Sequence, residues 1–299
     1  VKVFAEWTVA ESGQRLDRLI ADELACSRAR VRDLLAHRAV EVDGRLVRDK
    51  GIWLEPGQVV RVLESPEFFD RLVPVEAAVD VLAEGEGWIA VNKPAGLPVH
   101  PLHHDESDTL LQRLVAGHPE IAGIGEGGLR SGVVHRLDVD TSGVQLFALD
   151  EQTFSRLRHA FSGHRIDKLY RAIVHGVPDD HGVLELDLEI TQHRPAKVSA
   201  VPAGEGSSES RLCPLRWKRR ESFTDASLVE LRPRTGFLHQ IRVSLAWLGH
   251  PVLGDALYGN GDDAAARQML HASRLVLGEI EVEAPDPADF AAVLDRLRA

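Results

Sequence analysis

Apolar residues recur at helical spacing over residues 13–26, where Leu16, Leu19, Ile20 and Leu24 define one buried stripe. Ser27 is placed to N-cap a second short helix that turns Val31, Leu34 and Leu35 inward. The pattern then changes to alternation. Residues 39–42 and 45–47 flank Asp43-Gly44, a pair that favours a tight hairpin turn, and residues 59–62 add a strand after Pro56-Gly57. Two small helices, a hairpin and a strand make a compact first unit. Residues 63–80 are acidic, aromatic and proline-containing, and read as a linker.

Beyond the linker, strand-like residues 79–83 and 88–91 flank Glu84-Gly85-Glu86-Gly87, a hairpin signal. The second strand enters a rigid loop, NKPAGLPVHP, at residues 92–101. Ser107 or Asp108 is positioned to cap a short helix through Leu110, Leu111 and Leu114. The glycine-rich piece at 117–132 lacks the lysine and the strand-to-helix setting of a nucleotide-phosphate loop, so it reads as plain loop. An apolar strand at 144–148 precedes a helix capped by Asp150, with Phe154, Leu157 and Phe161 on its inner face. Residues 168–172 begin an alternating strand, and 183–190 alternate apolar and acidic with a period of two. Residues 192–211 are polar and read as a surface loop. Strands at 212–217 and 226–231, a helix ended by Gly249, a strand pair over 270–283 and a helix from Pro287 complete the chain. Many alternating strands, few helices and no regular strand–helix repeat predict an α+β fold with a mostly antiparallel sheet.

At 299 residues the chain has room for one large domain and a smaller one. Hydrophobic residues at 44% and charged residues at 27% fit a globular protein and exclude a disordered or fibrous one. No run of about eighteen apolar residues exists to span a bilayer, and residues 1–13 lack the features of a secretory signal. A cytoplasmic location without membrane association is therefore expected. Cys26 and Cys213 lie far apart and offer neither a disulfide framework nor a zinc cluster. The net charge of -11 argues against non-specific coating of nucleic acid, so any RNA-binding surface must be a local basic patch on an acidic body.

Candidate chemistry concentrates in residues 134–146, VHRLDVDTSGVQL. Asp138 stands beside a possible counter-ion, Arg136, and Thr141-Ser142-Gly143 can fold back to donate hydrogen bonds to a carboxylate. On residues alone this fits a charged loop as well as an active one. A metal-dependent nuclease built on Asp138, Asp140, His100, His103 and His104 is disfavoured, because the histidines flank a proline-rich loop without ligand spacing.

The segment His135–Gly143, HRLDVDTSG, closely resembles the HRLDxxTSG signature of pseudouridine synthases of the RluA type. Supporting matches follow in order: the NKPxGxxVHP-like loop at 92–101, the K-x-Y-x-A strand carrying Tyr170, RTGFLHQIRVS at 234–244, and GHPVLGDALYG at 249–259. Phe237, Leu238 and Ser244 depart from the commoner TGRTHQIRVH, which leaves the chemistry in place and puts substrate choice in question. Residues 15–21, 27–35 and 40–47 resemble an S-four-type RNA-binding domain, with Arg38-Ala39 where a glycine is usual.

These resemblances imply an RNA-binding domain over 1–63, a linker over 64–80 and a pseudouridine synthase domain over 81–299, the last with one large curved sheet and a cleft along its middle. They imply an isomerase that needs neither cofactor nor metal and acts, as a monomer, on structured RNA, ribosomal RNA before tRNA. By resemblance Asp138 is the catalytic carboxylate and Arg242 its bidentate partner. Tyr170 stacks on the uracil or places the proton leaving carbon 5, and Arg136 fills the gap left by the flipped base. Arg28, Arg30 and Arg45 are candidates for phosphate contact among exposed arginines that also include Arg15, Arg32, Arg38 and Arg48. The competing reading is an RNA-binding or ribosome-assembly factor of the same fold that has lost the reaction. The complete reactive set favours the enzyme.

Overall fold

Alternation and short helical stripes build two compact units, Val1–Val73 with Leu102–Ser107, and Pro74–Pro101 with Asp108–Ala299. The computed structural model describes residues 3–66, 68, 71–193, 195–259 and 265–299. In the first unit, β1 (Ala5–Thr8), β2 (Gln14–Arg15), α1 (Leu16–Glu23), α2 (Arg28–Ala36), β3 (Val40–Val42), β4 (Arg45–Leu46), β5 (Trp53–Leu54) and β6 (Val59–Val62) follow in order. The sheet runs β1-β6-β3-β4, with β2 and β5 forming a separate short ladder. Leu16, Ile20, Val31, Leu34, Val40 and Val60 are fully buried in one core.

Local chemistry sets the corners of this unit. Ser27 accepts a hydrogen bond from the Arg30 amide and caps α2. Asp43 and Gly44 have φ of 52° and 74°, the two positive values that a primed hairpin turn requires. Arg38 has φ of 57°. The position where the related pattern has glycine thus does need a left-handed backbone, and here an arginine adopts it. Strands β1, β2 and β5 were not expected, since segments this short carry no readable alternation.

The second unit holds β7 (Val81–Gly85), β8 (Trp88–Lys93), α3 (Leu110–Gly117), β9 (Ser142–Ala148), α4 (Glu151–Ser162), β10 (Asp167–His175), β11 (His181–His193), β12 (Ala196–Pro202), β13 (Arg211–Ser222), β14 (Ala226–Pro233), α5 (Gln240–Trp247), β15 (Leu270–Leu277), β16 (Ile280–Glu283) and α6 (Ala288–Arg298). One sheet has the order β12-β11-β13-β14-β10-β15-β9-β8-β7, with β16 on β15. Its described pairings are antiparallel except β9 with β15. The α+β expectation therefore holds. Three local expectations do not. Residues 196–202, read as loop, form β12 because Val198 is buried against β11, whose register they match. Thr109, not Ser107 or Asp108, caps α3, in a reciprocal capping box with Gln112. In α4 the buried residues are Thr153, Leu157 and Ala160, and Phe154 and Phe161 are only half-buried.

The parallel β9–β15 contact fixes the stretch after Asp138, pairing His271 with Ser142 and Ala272 with Gly143. Gly143 has φ of 116°, and a Cβ there would stand 2.1 Å from the Ala272 carbonyl oxygen. Both the backbone angle and the space require glycine. Gly143→Ala should therefore destabilise the protein by about 3 kcal/mol or more, read as a drop in the thermal unfolding midpoint. An unchanged midpoint would mean that the two strands can part without loss.

Candidate active site

The loop carrying Asp138 leaves the bridge at Val133 and is tied down at several points around β9. Lys93 is fully buried at the end of β8, and its Nζ donates to the carbonyls of Pro94, Leu97 and Val139 at 2.9, 2.7 and 2.7 Å. Gly96 N also donates to Val139 O, at 3.0 Å. The rigid loop expected from its prolines and glycines thus grips the residue next to Asp138. Burial lowers the Lys93 pKa to about 7, against the pull of Asp140 and Asp138. Buried Arg267 donates to Asp140 O at 3.0 Å while paired with Asp289, and Gln268 donates to Thr141 Oγ1 at 2.8 Å. His135 accepts from the Leu146 amide through Nε2, and burial drives its pKa down to about 3, so its ring is neutral and structural.

Thr141 and Ser142 do not solvate the Asp138 carboxylate, as their sequence suggested. The Thr141 amide closes a turn onto the Asp138 backbone carbonyl, and Ser142 Oγ meets His271 Nδ1. The carboxylate is instead held by Arg242 in α5, whose Nη1 donates to Asp138 Oδ2 at 3.1 Å. This is a single bond. The bidentate partner of Arg242 is Asp255, with Nε to Oδ2 at 2.7 Å and Nη2 to Oδ1 at 2.8 Å. A guanidinium has five donors in a fixed fork, so it can lock onto one carboxylate and still present an edge to another.

The two carboxylates differ in exposure. The Asp255 side chain is 0% exposed, that of Arg242 9% and that of Asp138 24%. Burial opposes the charge on Arg242, but the Asp255 hydrogen bonds and both carboxylates outweigh it and raise the pKa. Burial likewise opposes ionisation of Asp255, yet Arg242 and the amides of Tyr258 and Leu257 outweigh it and hold the carboxyl below its usual range. Tyr258 lies under the Arg242 guanidinium, 5.3 Å from ring centroid to Cζ, and its hydroxyl meets His239 Nδ1 at 3.0 Å. The matched block at 249–259 contains Asp255 and Tyr258, and its resemblance assigns neither of them a role. The signal was there: an aspartate in a Gly-Asp turn that sits in the matched block.

Asp138, Tyr170 and Arg242 meet in one cavity of about 70 Å³, lined also by Arg136, Thr235, Phe237 and His239. Tyr170 lies half-buried in β10, and burial, reinforced by Asp138, raises its hydroxyl pKa. Arg136 is exposed at this cavity and makes no ion pair among the described residues. Phe237 and Leu238, the departures from the related pattern, pack against the cluster of Leu186, Leu188, Val198, Cys213 and Val243. Ser244 is fully buried with its hydroxyl unpartnered.

Arg28, Arg30 and Arg45 belong to the other compact unit. Arg28 and Arg45 are exposed, whereas Arg30 is half-buried and donates to Pro66 O at 2.8 Å. Arg15, read as exposed, is half-buried and forks onto Asp17. Among the described residues, the one group whose ligand atoms could share a metal ion is His37, His104 and Asp105, which includes neither Asp138 nor Asp140.

The fold and this cavity define an α+β protein with a partly exposed carboxylate, Asp138, in a small pocket that Tyr170 and Arg242 also line. A family model described as RNA pseudouridylate synthase matches residues 87–247, and an S4 domain model matches residues 14–60. An uncharacterised RNA pseudouridine synthase of Chloroflexus aurantiacus is 34% identical over 297 residues, covering 96% of this chain and 91% of that one. Ribosomal large subunit pseudouridine synthase D of Zymomonas mobilis is 33% identical over 280 residues, covering 88% and 85%. The solved structure of human RNA pseudouridylate synthase domain containing 4 aligns with a TM-score of 0.61 at 25% identity, covering 73% of this chain and 93% of that one. The chain belongs to the RNA pseudouridylate synthase family, with an S4 domain toward its N-terminus. It is an isomerase that converts uridine to pseudouridine in RNA.

Removing Asp255 strands a buried guanidinium, so Asp255→Ala should lower stability at pH 7 by about 3–5 kcal/mol. The Asp255 pKa is depressed in the folded state. Its contribution is therefore complete above the unfolded value of about 3.9 and fades as pH falls through the folded one. Urea unfolding at pH 7 and pH 3 should show the gap between wild type and Asp255→Asn narrowing at the lower pH. A gap constant with pH would show that the pair contributes by shape and not by charge.

Proposed function

We propose that Asp138, Tyr170 and Arg242 are the catalytic set, acting on uridine in structured RNA, and in ribosomal RNA in particular. The observation that carries this is the 3.1 Å contact of Arg242 with Asp138 in a cavity that Tyr170 also lines. Isomerisation breaks the bond between uracil N1 and ribose C1′, turns the base and joins C5 to C1′. A proton leaves C5 and one is gained at N1. No electrons are exchanged and no acceptor is needed, so the reaction runs without cofactor or metal.

Asp138 acts as nucleophile at C1′, or stabilises the cationic sugar, and then takes part in removing the C5 proton. Each role needs a carboxylate aimed into the cavity, and the Arg242 contact holds the Asp138 oxygen in place. The Tyr170 hydroxyl keeps its proton at neutral pH, because burial and then Asp138 raise its pKa. That suits a ring that stacks on the uracil or positions the proton, and not a free phenolate base. A uridine within a stem must be extruded to reach this depth, and Arg136 supplies a flexible cation to occupy the gap.

Ribosomal RNA is favoured over tRNA by the relatives named for the large ribosomal subunit. Residues 1–63 serve as the RNA-binding domain, 64–80 as linker and 81–299 as the synthase domain. Arg28 and Arg45 contact phosphates, with Arg30 assisting. The protein works as a cytoplasmic monomer.

Tritium release from total RNA labelled at uridine C5, taken from a host lacking the gene, tests the assignment. Wild type should release label, and Asp138→Asn should slow release by about 10⁴-fold or more. Release that survives the substitution would remove Asp138 from the mechanism, and no release by wild type would leave an RNA-binding factor.

A further inference from the structure

A second cavity, of about 410 Å³, shares Arg136, Tyr170 and Gly236 with the catalytic pocket and is the larger of the two. Cations dominate its wall: Arg130, Arg136, Arg158 and Lys168 face a single carboxylate, Glu126. Glu126 lies between two of them, with Arg130 Nη1 at 3.2 Å from Oε2 and Arg158 Nη2 at 3.5 Å from Oε1. The side chains of Arg130 and Arg158 are 52% and 49% exposed. Ion pairs this open are weak and exchange readily. Phe161 adds an aromatic wall, stacked on His135 at 4.5 Å and 18°.

The glycine-rich loop read as featureless in sequence is what places these groups. Gly123, Gly125, Gly127, Gly128 and Gly132 all have positive φ, and the Gly125 amide donates to Glu151 Oε1 at 2.8 Å. The turns they form bring Glu126 and Arg130 to the cavity wall, where Glu126 meets Arg158 of α4. The catalytic mechanism uses neither arginine.

We propose that this cavity binds a nucleotide adjacent to the target uridine, its phosphate displacing Glu126 from between Arg130 and Arg158 and its base lying against Phe161. The inference rests on the reading of the neighbouring pocket as the uridine site. In free protein Glu126 is a stand-in anion. It keeps the two arginines from repelling each other and leaves when a phosphate, with more oxygens and charge to share between two forks, arrives. A cavity with both a cationic edge and an aromatic wall matches the two surfaces of a nucleotide.

The test compares signs. Binding of a protein-free large-subunit ribosomal RNA transcript is measured by filter retention across salt concentrations, for wild type, Glu126→Gln, Arg158→Ala, Arg130→Ala and Ser162→Trp. The last of these fills the cavity from an exposed position on α4. Glu126→Gln should tighten binding by about 3-fold, and each arginine variant should weaken it by about 10-fold, with the salt slope reduced by about 1. Ser162→Trp should weaken binding with no change in slope. In single-turnover tritium release these effects should fall mainly on the half-saturating enzyme concentration, and Arg158→Lys should recover part of the loss.

If the ion pairs merely brace the loop, Glu126→Gln will weaken binding as the arginine variants do, or all will leave it unchanged. Either result overturns the proposal. Thermal unfolding of each variant separates misfolding from loss of contact. Should wild type bind the transcript yet release no tritium, the catalytic reading of Asp138 fails, while the opposite signs in the binding measurement still decide the subsite.

Discussion

A buried arginine shared between two aspartates is the interaction on which the rest of this structure depends. Arg242 forks onto fully buried Asp255 and offers its remaining edge to Asp138, which is partly open to the cavity. One carboxylate neutralises and orients the guanidinium, and the other stays partly open to the cavity. Because the first pair is made inside the protein, the charge that Asp138 sees is present before any substrate arrives.

The sheet exists to hold this arrangement open. Strand β9 leaves the Asp138 loop and meets β15 in a parallel contact so close that Gly143 admits no side chain. Strand β10 carries Tyr170 in register with β14 on one side and β15 on the other. Lys93 and Arg267 grip the carbonyls of the two residues after Asp138, Val139 and Asp140, so the backbone is fixed by buried donors while the side chain remains accessible. The larger neighbouring cavity opens beside this one and shares Arg136, Tyr170 and Gly236 with it.

Much of the fold could be read from the chain because its causes are local. Asp43-Gly44 specifies its turn by backbone angle, Ser27 and Asp150 cap their helices as expected, and period-two alternation marks β11. The failures have equally definite causes. Strand β12 is held by its pairing with β11, and its short run, AKVSAVP, lies within a longer polar, Gly/Ser-rich stretch that hides it. Thr109 outcompetes two nearby capping residues because Gln112 completes a reciprocal box. Arg38 carries a left-handed angle that its side chain does nothing to advertise.

The same division holds for the site. From the residue string alone came the α+β class, the resemblance of the HRLDVDTSG segment, and the expectation that Asp138, Tyr170, Arg242 and Arg136 belong together. Those are properties of short spans, where neighbours in sequence determine backbone shape and residue type. Which carboxylate takes the two-pronged grip of Arg242, that Asp255 is its buried partner, and that Glu126 bridges Arg130 and Arg158 were decided only in three dimensions. The contact between Arg242 and Asp138 closes over 104 positions of chain, and Glu126 and Arg158 meet over 32. Burial and donor geometry choose among such distant partners, and neither quantity exists until the sheet has formed.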